Sequence, residues 1–198
     1  MEVIGRTHAP RVSTRSRTRY LASIAGKMLK MVQELLHRSQ HLVDLYKRQQ
    51  GPPFNRPGFA MPGLSLRGLP EVPRAEGNQR EEAEDDEARL QAEHEAYRGL
   101  AHYLRLVLDD QRELNPSGQD LHQELAYFAV NVEGLAVNLG LLLRALGHEG
   151  PDGVHLGTGL TGASDWDKKR AGLVVCTRGV QWLRASEGDF SALVSRYN

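Results

Sequence analysis

The sequence predicts an all-α fold: a long-chain four-helix bundle with up-up-down-down topology and two long crossover loops. Three observations carry that prediction. Apolar residues recur with a period near 3.6 through residues 18–50, 80–109, 118–147 and 164–196, which places them on one face of a helix. At about 1.5 Å of rise per residue each stretch spans roughly 45 Å, so the four match in length. The segments between them, 51–79, 110–117 and 148–163, are long, short and long. A short connection joins antiparallel neighbours, whereas a long one can join parallel helices.

Each element follows in order. Residues 1–17 are rich in Arg, Ser and Thr and read as a disordered basic arm, which leaves 18–198 as one helical domain. The first helix places Leu21, Ile24, Met28, Val32, Leu35, Leu42, Val43 and Tyr46 on one stripe. Gly51-Pro52-Pro53 ends it, because proline lacks the amide and clashes with the preceding turn. Residues 51–79 hold six prolines and five glycines and form a loop. Phe54, Phe59, Met61, Leu64, Leu66 and Leu69 imply that this loop is strapped onto the bundle.

The second helix opens in the acidic run 81–87, which suits the positive end of a helix dipole. Its stripe is Leu90, Tyr97, Leu100, Ala101, Leu104, Val107 and Leu108. Asn115-Pro116-Ser117-Gly118 is a turn, with Ser117 as the expected N-cap of the third helix. That helix is the most apolar, with Leu121, Leu125, Phe128, Val132, Leu135, Leu139, Leu142, Leu143 and Leu146, and is expected to lie deepest. Gly147 is its expected stop. Five glycines and a proline make 148–163 the second long loop. Ser164 is the expected cap of the fourth helix, followed by Asp165 and Asp167. Its stripe is Leu173, Val174, Thr177, Val180, Phe190, Leu193 and Val194.

Composition excludes several function classes. Formal net charge is zero, whereas phosphate-backbone binding needs an excess of Lys and Arg, so no nucleic-acid partner is expected. The charge is uneven: residues 1–50 are basic and 71–96 acidic, which fits solvated helix faces or the steering of a partner. The single cysteine, Cys176, allows no intrachain disulfide and reads as a buried thiol. The chain has no apolar run of signal-peptide type near Met1 and no run of 18 apolar residues, so membrane insertion is not expected. These features taken alone favour an intracellular helical scaffold or a protein exported without a conventional signal.

Catalytic and metal motifs are weak. Glu34 stands three residues before His37, and His41 four after it, but a dinuclear carboxylate bundle needs a second Glu-x-x-His on another helix. Gly157-Thr158-Gly159 with Gly162 has phosphate-loop spacing but no preceding strand. No enzyme activity, cofactor or metal is expected. What remains is surface: Trp166 and Lys169 lie one turn apart at the start of the fourth helix, an aromatic beside a cation, the pairing enriched at interface hot spots.

Four stretches, taken in order, carry a resemblance. They are Gln50-Gly51-Pro52-Pro53-Phe54 with Pro57-Gly58-Phe59 and Pro62; Asp110-Gln111-Arg112-Glu113-Leu114-Asn115-Pro116; Ala145-Leu146-Gly147; and Trp166-Asp167-Lys168-Lys169 with Gln181-Trp182 and Ser186-Glu187-Gly188-Asp189-Phe190. Together the chain resembles the interleukin-6 family of cytokines, in the branch of cardiotrophin, neuropoietin and ciliary neurotrophic factor. The resemblance covers most of residues 20–198. It implies a secreted protein, a monomer when free, that cross-links glycoprotein 130 and the leukaemia inhibitory factor receptor to start JAK/STAT signalling. Some members also use a ciliary neurotrophic factor receptor α chain.

The resemblance also implies sites. The family's Phe-x-x-Lys receptor motif falls on Trp166 and Lys169, with a bicyclic ring in place of Phe, and Phe54 is expected beside them as part of the leukaemia inhibitory factor receptor site. The glycoprotein 130 site falls on Lys27, Lys30, Glu34 and Arg38 of the first helix. On the third it falls on Asn131, Gly134 and Asn138, with a shallow spot at Gly134. The α-chain site, at the end of the fourth helix, falls on Arg178, Gln181 and Arg184.

Overall fold

A computed structural model of the chain describes residues 14–59, 64–72, 84–148, 157 and 163–197. Among the described residues there are four helices and no strands: α1 Thr14–Gln50, α2 Glu84–Leu114, α3 Gln119–Leu146 and α4 Asp165–Tyr197. The stripes named above pack into one core, in which α1 and α2 each lie against both α3 and α4. Leu146, Thr177 and Val194 are only partly buried. Phe54, Leu66 and Leu69 are buried with the helices, so the described part of the first connection is strapped on as its composition implies. Expectations for residues 1–13 and for Met61 lie outside the described residues.

Cross-helix contacts give the helix directions. Tyr46, near the end of α1, bonds the carbonyl of Lys169 at the start of α4. Arg17, at the start of α1, bonds the carbonyl of Ala145 at the end of α3. Gln50 and Gln111 meet at the C-terminal ends of α1 and α2. Hence α1 and α2 run parallel and α3 and α4 run back, which is the up-up-down-down order.

Helix termini show where local chemistry rules. The Ser164 Oγ accepts the amide of Asp167 at 3.2 Å, as an N-cap should. Gly147 has φ 94°, in the left-handed region, and its amide bonds Arg144 while that of His148 bonds Leu143, a closure that glycine permits without strain. Ser117 is not the cap of α3: the cap position falls one residue later, on Gly118, with no side-chain cap bond. The Ser117 carbonyl instead accepts the amide of Gln119 at 3.0 Å. α1 starts at Thr14, before its apolar period begins; a polar first turn carries no hydrophobic signal.

α3 is not uniformly deep. By length and composition it is apolar enough to cross a membrane, and it buries Leu121 through Leu143 against its neighbours, yet Val130 and Val137 stand 66% and 58% exposed. Cys176 is buried, and burial pushes its thiol up to about 12, so it is inert packing.

A polar cluster sits inside the α2–α4 interface. The Tyr97 hydroxyl donates to Ser186 at 2.7 Å, and Arg89 pairs with Asp189 at 3.1 Å. Glu93, 1% exposed, lies among them. Burial, and then the negative charge of Asp189, push its carboxyl well above the ordinary 4.5. A folded state that holds this proton while the unfolded chain releases it is stabilised fully below the unfolded pKa and loses that stability as pH rises through the folded one. Glu93→Gln, which mimics the protonated form, is therefore expected to raise the urea midpoint at about pH 8, with the two proteins converging at about pH 4. A variant less stable than the parent at both pH values would refute a neutral Glu93.

Candidate functional site

The end of the bundle where α1 and α2 finish and α3 and α4 begin is built on a buried polar network. Gln50 Nε2 donates to Gln111 Oε1 at 2.7 Å, and Asn115 Nδ2 donates to the same oxygen at 2.8 Å. Gln111 Nε2 reaches the Tyr46 hydroxyl at 3.3 Å, and that hydroxyl donates to the Lys169 carbonyl at 3.0 Å. The His122 ring closes on the Gln111 carbonyl at 3.1 Å. All four helices contribute. Burial raises the Tyr46 phenol well above its ordinary value, so it stays a neutral donor.

Tyr46 comes this close to α4 because residue 172 is glycine. A Cβ there would lie 2.0 Å from the Tyr46 hydroxyl oxygen. The hydroxyl thus fixes the start of α4, which carries the exposed Trp166 and the half-buried Lys169. Trp166 is 45% exposed and rests on Phe54, with ring centroids 5.0 Å apart. Phe54 in turn meets Phe59 edge-on at 5.3 Å. Phe54 is therefore beside Trp166 as expected, but it is 1% exposed and acts as the floor under the ring rather than as contact surface.

The neighbouring cations have different fates. Lys168 pairs with Asp110 at 3.1 Å and Glu113 at 2.9 Å, and these carboxylates hold its ammonium above the ordinary range. Arg170 lies 3.6 Å from Asp167. Lys169, one turn from Trp166, has no ion-pair partner among the described residues.

The second expected face is assembled between α1 and α3. Lys27, Lys30 and Glu34 are exposed, and Arg38 half-buried. Glu34 accepts a bond from the Tyr127 hydroxyl, Arg38 pairs with Glu124, and the Arg38 guanidinium stacks 3.9 Å from the centre of the Tyr127 ring. Asn131 donates to the Tyr127 carbonyl at 2.8 Å, and Asn138 to Met31 Sδ at 3.6 Å. The spot at Gly134 is not open: a Cβ there would lie 3.0 Å from the Met31 methyl.

The third set divides. Gln181 and Arg184 are exposed in the middle of α4 rather than at its end. Arg178 is spent on the first connection, donating to the Pro70 carbonyl at 3.1 Å and lying 3.3 Å from Glu71. The same carbonyl accepts the Trp182 indole at 3.1 Å. Spacing along α4 gives no sign of a partner so distant in the chain. Sequence reasoning also passed over Gly172 and the Tyr46–Gln111–Asn115 network. Gln111 and Asn115 stand in the turn motif, which was the available signal.

Long helices in up-up-down-down order are the architecture of growth hormones and cytokines. The family model for ciliary neurotrophic factor matches residues 13–197. Cardiotrophin-2 of Mus musculus is 32% identical over 158 residues, covering 79% of this chain and 76% of its own. Cardiotrophin-1 of Mus musculus is 33% identical over 165 residues (79% and 78%), and ciliary neurotrophic factor of Sus scrofa 31% over 159 residues (78% and 74%). The chain belongs to the ciliary neurotrophic factor family of helical cytokines.

Tyr46→Phe is expected to cost about 1–3 kcal/mol, since it leaves a buried amide and a carbonyl without their partner. Gly172→Ala should cost about as much through overpacking. Gly179→Ala, whose new Cβ would meet only Leu100 at 3.8 Å, should be tolerated. Urea unfolding of the three variants checks the order, and equal midpoints for Gly172→Ala and Gly179→Ala would refute it.

Proposed function

We propose that this chain is an extracellular cytokine without enzyme activity that works by cross-linking receptor chains, so that their cytoplasmic tails meet and JAK/STAT signalling starts. The observation that carries this reading is the Trp166–Lys169 pair: a flat aromatic raised on a buried Phe54, beside a cation with no ion-pair partner among the described residues. An aromatic can fill an apolar pocket while the ammonium meets a carboxylate at its rim. The partner proposed for this end is the leukaemia inhibitory factor receptor, and that for the α1–α3 face is glycoprotein 130. Gln181 and Arg184 are assigned to a ciliary neurotrophic factor receptor α chain.

Trp166→Ala and Lys169→Ala should each weaken binding to the isolated leukaemia inhibitory factor receptor ectodomain by about 30-fold, the effect of a roughly 2 kcal/mol hot spot, with the unfolding midpoint retained. Surface-plasmon titration reads this, and undiminished affinity for both variants would sink the assignment. For the other face, Gly134→Arg displaces the Met31 methyl and places charge between α1 and α3. Glycoprotein 130 binding should fall while leukaemia inhibitory factor receptor binding persists. An unchanged glycoprotein 130 affinity counts against this face. STAT phosphorylation in receptor-bearing cells treated with the purified protein tests the whole reading.

A further inference from the structure

On the far side of α3 from Met31, a groove of about 480 Å³ runs between α2 and α3. α2 lines it with His94, Arg98, His102 and Arg105, and α3 brings Arg144 and one acid, Glu133. The acid is used: Arg105 pairs with it. His102 is used as well, bonded to the Gly157 carbonyl at 2.7 Å. What is left is His94, Arg98 and Arg144. Neither arginine side chain has an ion-pair partner among the described residues.

These groups converge. His94 and Arg98 are one turn apart on α2, and Arg144 lines the same groove from α3; burial first, and then the positive charges of Arg98 and Arg144, push the His94 imidazole below its ordinary range. His94 Nδ1 is buried with no hydrogen-bond partner. On the ring's other side Nε2 would lie 3.3 Å from a Cβ on Gly140, so a glycine is what lets the imidazole lie down into the groove. Ala101, Ala136 and Gly140 keep the floor low and apolar, with Val137 at the edge.

Guanidinium forks match the oxygens of sulfate and phosphate in bidentate fashion. An apolar floor with a few convergent polar groups, in a cleft of this size, suits a small organic body. We propose that the α2–α3 groove binds a sulfate or phosphate ester on a sugar-sized scaffold, with Arg98 and Arg144 gripping the oxyanion. The site does not depend on the receptor assignments: Gly134 and Asn138 face α1, and Trp166 stands at the start of α4.

The test is titration of the full chain with glucosamine 6-sulfate, glucose 6-phosphate and inorganic sulfate, followed by calorimetry and by the ring resonances of His94. At least one ester should bind more tightly than inorganic sulfate and shift the His94 signals. Binding of only one ester identifies the source of the oxyanion, and binding of both assigns a general oxyanion-ester site. Arg98→Gln and Arg144→Gln should each weaken the ester about tenfold, as loss of one charge-assisted pair implies, while Arg48→Gln, exposed near the end of α1, leaves it unchanged. Circular dichroism verifies that each variant is folded. The proposal is overturned if neither ester binds below about 10 mM, or if Arg48→Gln weakens binding as much as the groove variants.

Discussion

The Tyr46 hydroxyl is the contact on which the end of the bundle around Trp166 depends. It takes a bond from Gln111 and gives one to Lys169, and so joins the end of α1 to the end of α2 and the start of α4. Gln50 and Asn115 close on the same Gln111 oxygen, and His122 closes on its carbonyl from α3. With no disulfide available, packing, this network and the ion pairs of Lys168 with Asp110 and Glu113 join the four termini. A buried network with every member satisfied specifies one arrangement, because any other leaves polar groups unpaired in a low dielectric. The register it sets is what puts Trp166 over Phe54.

The helices were legible in the sequence because the signal for them is local. Period, glycine stops and the Ser164 cap all act within a few residues. The turn from Asp110 to Pro116 was legible as a motif but not as a mechanism. Its Gln111 and Asn115 are network members and its Asp110 and Glu113 hold Lys168, roles that exist only after α4 has folded back against α2. Phe54 and Arg178 were expected as contact surface, but the first is buried and the second is bonded within the chain. The first turned inward because Trp166 covers it, the second because the Pro70 carbonyl and Glu71 come to it from the first connection. Gly172 was invisible for the same reason, since nothing near it in the chain announces Tyr46.

Intramolecular pairing decides which charges a surface can offer. Around Trp166 there are three cations in sequence, but Lys168 faces Asp110 and Glu113, and Arg170 faces Asp167. That leaves Lys169, the residue whose own carbonyl is held by Tyr46. On the α1–α3 face, Arg38 and Glu34 are likewise tied to Glu124 and Tyr127, while Lys27 and Lys30 stay exposed. Exposed ion pairs add little stability; their effect here is to select.

The described parts of the connections also bond to the helices. The Arg67 carbonyl accepts both the Tyr103 hydroxyl at 2.7 Å and the Gly157 amide at 3.3 Å, which ties the described parts of both connections to α2 at one point. Two close approaches make this possible. A Cβ on Gly99 would lie 2.1 Å from the Gly68 carbonyl oxygen, and one on Gly157 would lie 2.6 Å from the Tyr103 hydroxyl oxygen. Further along the first connection, Pro70 takes bonds from Arg178 and Trp182 of α4. Backbone carbonyls that would otherwise need water are paired with side chains of the helices. Gly99, Tyr103 and Trp182 stand outside the stripes of α2 and α4 and are taken up by the connections. The straps are thus written into α2 and α4 as firmly as the core, and the surfaces those helices present are set by the connections lying across them.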